Sequence, residues 1–227
     1  MLQWVRDLPG YAEFLIVIFL CFGGTILTSL WIVIDSTPSE PATLLHANYG
    51  YLSSAINAVV ALFAVALFLS LRGWSLEDFG FAVTWRSTLA ALGIILLYYV
   101  YYNLLISSGL ISWSAAPEAS GGQTREISFS LSSVAVSSII GAVFEETIVV
   151  GYVMAFMTRR HGPLLAVGAS VGLRVLAGLS QGALAFALVL PMGLLFALIY
   201  WRWHNLWPLI LAHGLMYFVP WLLLAFV

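Results

Sequence analysis

The chain is patterned by long apolar runs rather than by alternation or by amphipathic stripes. Phe14 to Ile34, Tyr51 to Leu71 and Ser87 to Ser108 hold no charged residue. Leu131 to Thr158 is interrupted only by Glu145 and Glu146, and Leu206 to Val227 only by His213. A spanning helix needs about 20 mostly apolar residues, so each run predicts one crossing. Pro163 to Trp201 carries a single charge, Arg174. As one helix it would be about 58 Å long at 1.5 Å per residue, roughly twice the hydrocarbon thickness. It must fold back, and Gly178 to Gly182 is the predicted turn. The expected fold is all-α: a polytopic membrane bundle of about seven helices.

The basic residues orient it. With seven crossings Arg6, Arg72, Arg86, Arg159, Arg160 and Arg202 share one side, Arg125 alone takes the other, and Arg174 lies within the membrane. That bias places the N-terminus in the cytoplasm. Trp74, Trp85, Trp201, Trp203 and Trp207 fall near the inner interface, Trp31 and Trp113 near the outer one. The first crossing is too long for a signal-peptide core and reads as retained. Asp35 to Gly50 and Ala115 to Arg125 are expected as outer loops. Gly73 to Gly80 is expected as a short interfacial helix, capped by Ser75 with Glu77 and Asp78 in its first turn. One membrane domain, 1–227, then divides into a two-helix segment 1–72, an interfacial segment 73–86 and a core 87–227. No internal repeat is visible, which disfavours an inverted-repeat carrier.

Composition excludes the other classes. Of the 227 residues 62% are hydrophobic and 8% charged, against about 25% charged in a soluble domain. Cys21 is the one cysteine, so no internal disulfide can form. The net charge is −2 and there is no lysine, so no basic field exists for a nucleic-acid partner. Membrane lipids are the expected surroundings.

Ionisable groups inside a bilayer cost about 2.5–3.5 kcal/mol each at the helix centre, and four stand out. Counted from the cytoplasmic helix ends, Glu145 lies about 21 Å deep, Arg174 about 16 Å and His213 about 11 Å, with Glu146 beside Glu145. They can converge if their helices are neighbours. Adjacent glutamates point about 100° apart, so one faces the cavity and the other serves a neighbouring helix. Arg174 can pair with a glutamate and His213 can bond across helices. Two carboxylates with a histidine also suit water activation, the start of a metal site or a proton path. The residue types alone leave these open.

Their order in the chain resembles the CAAX-protease and bacteriocin-processing (CPBP, or Abi) family of intramembrane endopeptidases. Phe144 to Gly151, with Glu145 and Glu146, is similar to the first motif, Glu-Glu-x-x-x-Arg. Ser170 to Gly182 is similar to the second, in which Phe or Arg precedes a histidine by four. Leu206 to Tyr217 is similar to the third, His-x-x-x-Asn/Asp, and Arg72 to Gly80 to a segment that precedes the core in many members. The resemblance spans about residues 70–220. It implies a bacterial cytoplasmic membrane and glutamate-based peptide-bond cleavage, with Glu145 as the catalytic glutamate, Glu146 its neighbour, His213 the second histidine and Arg174 the Phe/Arg position. Three positions depart: Val150 replaces the motif arginine, Gly178 the first histidine and Tyr217 the Asn/Asp. Losing members of a catalytic unit costs orders of magnitude in rate. Two carboxylates and one histidine fall short of a zinc site, so no cofactor is required and the metal content stays unassigned.

The resemblance therefore implies a pseudo-protease that binds an integral membrane protein or peptide as scaffold, assembly factor or complex subunit, with an Arg174–glutamate pair as the core of the former site. The alternatives are an active endopeptidase using Glu145 and His213, with Glu146 beside them, and an ion or proton carrier whose sixth span is broken at Pro191 and Gly193. Tyr98, Tyr101 and Tyr102 share a helix face, either as packing or as a docking stripe.

Overall fold

The computed structural model describes residues 3–35, 44–109, 130–181 and 185–226. It is all-helical, with no strand among the described residues. Helices α1 (Gln3–Arg6), α2 (Gly10–Asp35), α3 (Leu44–Leu71), α4 (Trp85–Ser107), α5 (Leu131–Glu145), α6 (Val153–His161), α7 (Pro163–Ala177), α8 (Leu190–Trp203) and α9 (Trp207–Leu224) follow in order. A π-helical segment, Glu146–Tyr152, joins α5 to α6, and a second, Ala185–Val189, precedes α8. Among the described residues, five helical stretches are long and apolar enough to cross a membrane: Gly10–Asp35, Gly50–Leu71, Trp85–Ser107, Leu131–His161 and Phe186–Trp203. Pro163–Ala177 and Trp207–Leu223 are shorter apolar helices.

Each apolar run of the sequence is thus helical. The chain leaves α7 at the expected turn, where Gly178 N–H donates to the Arg174 carbonyl at 2.9 Å. One expectation needs correction. The loop from Asp35 to Gly50 is shorter than read, because α3 already begins at Leu44. No proline or glycine lies between Leu44 and Tyr49 to stop the helix from growing back from the crossing. The interfacial segment is the expected short helix, a single 3₁₀ turn over Leu76–Phe79 behind the N-cap Ser75, with Glu77 and Asp78 in its first turn. Its closing carboxylate is Asp78, which reaches back to the Ser75 N–H at 2.8 Å and hydroxyl at 2.9 Å. The loop Ala115 to Arg125 lies outside the described residues.

The stretch from α5 through α6 is the bundle's axis. Ile148, Val149, Val150, Tyr152, Val153 and Met154 on it are all buried, as are Phe196 and Tyr200 of α8. Helices α2, α3 and α4 turn large side chains such as Phe19, Phe63 and Leu96 outward, as lipid contact requires.

The interfacial segment locks the ends of two helices. Gly80 has φ 60, and an added Cβ would stand 2.0 Å from the His204 carbonyl oxygen. Only glycine allows that approach, through which Leu206 N–H donates to the Gly80 carbonyl at 2.8 Å. The Asn205 carboxamide accepts from Ala82 N–H at 3.1 Å and donates to its carbonyl at 2.9 Å.

Candidate functional site

Four polar side chains meet where α5, α7 and α9 pack. Glu145 closes α5 and Glu146 opens the π segment. Arg174 stands near the end of α7 and His213 in α9. Single-turn π segments insert a residue into a helix and recur at functional positions. Here the segment keeps Glu146 and Ile148 through Tyr152 buried together.

Glu146 is the hub. Its side chain has no exposure. One oxygen accepts from Arg174 Nη2 at 2.5 Å, and the other meets His213 Nδ1 at 2.5 Å. Glu145 keeps 36% side-chain exposure and stands 3.4 Å from Arg174 Nη1. Its carboxylate is 4.0 Å from His213 Nε2. That Nε2 is buried with no hydrogen-bond partner among the described residues, and so is Arg174 Nε. One guanidinium therefore serves two carboxylates, and one imidazole is fixed by one of them while facing the other. The His213 ring is further held edge-on by Phe196 at 6.0 Å and against Tyr217 at 4.9 Å.

Glu145 lies between two openings. On one side is a cavity of about 220 Å³ that also meets Thr25, Arg174, Gly178 and Tyr217. On the other is a cleft of about 370 Å³ between α2, α3 and α5, lined by Cys21, Thr25, Ser54, Asn57 and Ser137 among others. Counting about 1.5 Å per residue from the helix ends, Thr25 is about 22 Å from Gly10 and Asn57 about 22 Å from Arg72. Three neighbouring helices thus place polar groups at one depth. A third hollow of about 180 Å³ reaches His213 past Tyr98, Met192 and Tyr217.

The departures from the motifs take definite places. Gly178 borders the cavity beside Glu145 and offers it no side chain. Tyr217 lies against His213 and forms part of the wall. Val150 is fully buried in the apolar core and lines none of these three spaces. Gly193 does not act as a break. It makes room for the cation, since an added Cβ would meet Arg174 Cδ at 3.0 Å. Tyr98 and Tyr102 stack at 6.4 Å, and Tyr101 donates to the Ala187 carbonyl at 2.6 Å, so one tyrosine of the stripe ties α4 to the second π segment.

The donor set does not fit a metal ion. Both Glu146 oxygens are engaged by Arg174 and His213, and the guanidinium already supplies the cation. Among the described residues no group of three or more His, Cys, Asp or Glu side chains is placed to hold a metal ion.

One buried charge escaped the sequence reading. Glu13 is 2% exposed. It accepts from Arg72 Nε at 2.7 Å, Trp74 Nε1 at 2.9 Å and the Tyr152 hydroxyl at 3.2 Å. The first uncharged run begins at Phe14, one residue later, so Glu13 reads as its flank. An acid in the first turn of one span and an arginine closing the next is the signal that could have found it.

Residues 127–219 match the family model described as type II CAAX prenyl endopeptidase Rce1-like. No curated protein and no solved structure matches the chain. The matched stretch covers less than half of the chain, yet contains Glu145, Glu146, Arg174 and His213 together with Val150, Gly178 and Tyr217. With five crossing-length apolar helices among the described residues, the chain is an integral membrane protein whose residues 127–219 are similar to the type II CAAX prenyl endopeptidase Rce1-like family model.

Proposed function

We propose that the protein is a non-cleaving relative of the CAAX endopeptidases, which holds a segment of another membrane protein or peptide and serves as scaffold, assembly factor or fixed subunit. Its carrying observation is the engagement of both glutamates by Arg174 while Gly178 borders the same cavity with no proton-transferring side chain. A hydrolytic site needs a base free to take a proton and a partner to hold the water. Here Glu146 is saturated, Glu145 is charge-paired, and the position of the first motif histidine is empty of functional atoms. Tyr217 replaces a small amide with a ring that occupies the wall. What remains is a polar cleft around a half-exposed carboxylate, suited to hydrogen-bonding a chain within the bilayer.

In this reading the chain crosses a bacterial cytoplasmic membrane seven times with its N-terminus in the cytoplasm. Residues 1–72 and the interfacial segment 73–86 flank a core from 87 to 227. The clustering of Arg72, Arg159 and Arg160 around one pocket supports a common side for these helix ends. The test is a quantitative pull-down from native membranes, wild type against Glu145→Ala. A stoichiometric partner of unchanged length recovered with both is the expected result. A peptide enriched only on the variant, and found shortened in wild-type membranes, would reverse the reading.

One observation favours residual endopeptidase activity. The unpartnered His213 Nε2 and the Glu145 carboxylate face each other at 4.0 Å, a separation that one water can bridge. The same pull-down decides it.

A further inference from the structure

The ends of three long helices meet at one edge of the bundle: α2 begins at Gly10, α3 ends at Leu71 and α6 ends at His161. Between them lies a polar pocket of about 440 Å³ lined by Glu13, Arg72, Gly73, Trp74, Arg159 and Arg160. Each guanidinium is held in place. Arg72 donates to Glu13 at 2.7 Å and to the carbonyls of Val5 and Arg6 at 2.8 and 2.5 Å. Arg159 lies over the Trp74 ring at 4.7 Å and donates to Asp78 at 2.5 Å. Arg160 lies over the Phe156 ring at 3.8 Å and presses on Gly10, where an added Cβ would stand 2.7 Å from Nη2.

The charges do not cancel. Three guanidinia face two carboxylates. Glu13 is buried and already holds three donors, so its charge is answered within the protein. Arg160 has no carboxylate partner among the described residues. Pre-positioned guanidinia with spare N–H groups are the arrangement that takes a phosphate. The pocket lies at the ends of crossing helices, and Trp4 of α1 and Tyr11 in the first turn of α2 are exposed, as aromatic residues are at headgroup level. Basic pockets between helices at this level bind anionic headgroups.

We propose that this pocket is a phosphate site that seats the headgroup of an anionic phospholipid. It is independent of the cavity around Glu145 and of whether any peptide is bound or cut there.

The test uses the full-length protein in nanodiscs of phosphatidylcholine, with and without phosphatidylglycerol, read by native mass spectrometry and thermal unfolding. Wild type is expected to retain phosphatidylglycerol and to be stabilised by it. Arg160→Gln is expected to bind it about tenfold less tightly, the loss of one charge-assisted contact. Gly10→Ala, which displaces Arg160, is expected to do the same, and Arg160→Lys to recover part of the loss. Arg86→Gln removes an equal charge from another interfacial arginine and is expected to change nothing. Inorganic phosphate added to phosphatidylcholine discs separates the sources. If it alone stabilises wild type, the site takes a soluble phosphate and the lipid assignment falls. Equal phosphatidylglycerol binding by wild type and Arg160→Gln, or equal loss with Arg86→Gln, overturns the site.

Discussion

Arg174 Nη2 meets a carboxylate oxygen of Glu146 at 2.5 Å, with 2% of one side chain and none of the other exposed. A pair so enclosed is a weak net source of stability, because both ions give up their hydration to form it. Breaking it is another matter, since the survivor stays buried and uncompensated.

Arg174→Met is therefore expected to destabilise the fold by about 3–5 kcal/mol, and Glu146→Leu by a similar amount. The double variant is expected to be more stable than either single one. Unfolding in detergent, followed by heat or by SDS titration, reads all three. If Arg174→Met unfolds with the wild type, the pair is not the structural centre of the site.

Gly80→Ala is expected to dislodge the start of α9. Its Cβ has nowhere to go at 2.0 Å from the His204 carbonyl, and its φ of 60 disfavours any side chain. Overpacking and backbone strain together cost about 2–4 kcal/mol. Gly24→Ala is the control, with open space around it and an expected gain of up to about 1 kcal/mol from helix propensity. Equal thermal stability of the two variants would contradict the tight docking of Gly80 on His204.

Glu13→Ala strips the acceptor from Arg72, Trp74 and Tyr152 at once. Leaving buried donors unpaired is expected to cost about 3 kcal/mol. Arg72 also grips the carbonyls of α1, so exchange of the Asp7 amide, which donates to the Gln3 carbonyl at the end of α1, is expected to speed up as well. Glu13→Gln keeps an acceptor oxygen and is expected to lose less. Unchanged protection of that amide would show that Arg72 holds α1 without help from Glu13.

The interfacial turn is expected to tolerate acid. Hydrogen bonds from the Ser75 backbone, then from Arg159, hold the Asp78 carboxyl below its ordinary value of 3.8. A lowered folded-state pKa contributes stability above the unfolded value and loses it as pH falls through the folded one. Protection of residues 75–80 from hydrogen exchange is thus expected to persist down to about pH 4, as the ordinary carboxylate value implies, and to fade below it. Asp78→Asn is expected to abolish that dependence. A loss already complete at pH 5 would place its origin elsewhere.

How much of this was legible in the sequence depends on length scale. Apolar runs are decided by bulk transfer free energy, so the helical character of each run and the break at Gly178 could be read directly. Depth arithmetic put Glu145, Arg174 and His213 in one layer because helical rise is nearly constant. It could not show that Glu146 rather than Glu145 would be sealed in, since that depends on a π segment invisible to a 3.6-residue period. Nor could it show that Gly193 clears a space for Arg174, which is a contact between separate helices. Thr25 and Asn57 passed as ordinary polar residues within apolar runs until the packing of α2, α3 and α5 opened a cleft between them.

The π segment has a consequence beyond local geometry. One end carries Glu146, tied to Arg174 and His213, and the other carries Tyr152, tied to Glu13 at the membrane surface. Seven residues thus join the two ionic clusters. Their relative setting is stored in residue count rather than residue identity. Deleting one residue between 147 and 151 would leave every charged group in the sequence, yet rotate one cluster against the other by about 100°. A one-residue change in length here would therefore act like a slipped gear tooth, disengaging the interior from the surface without removing a single interacting side chain.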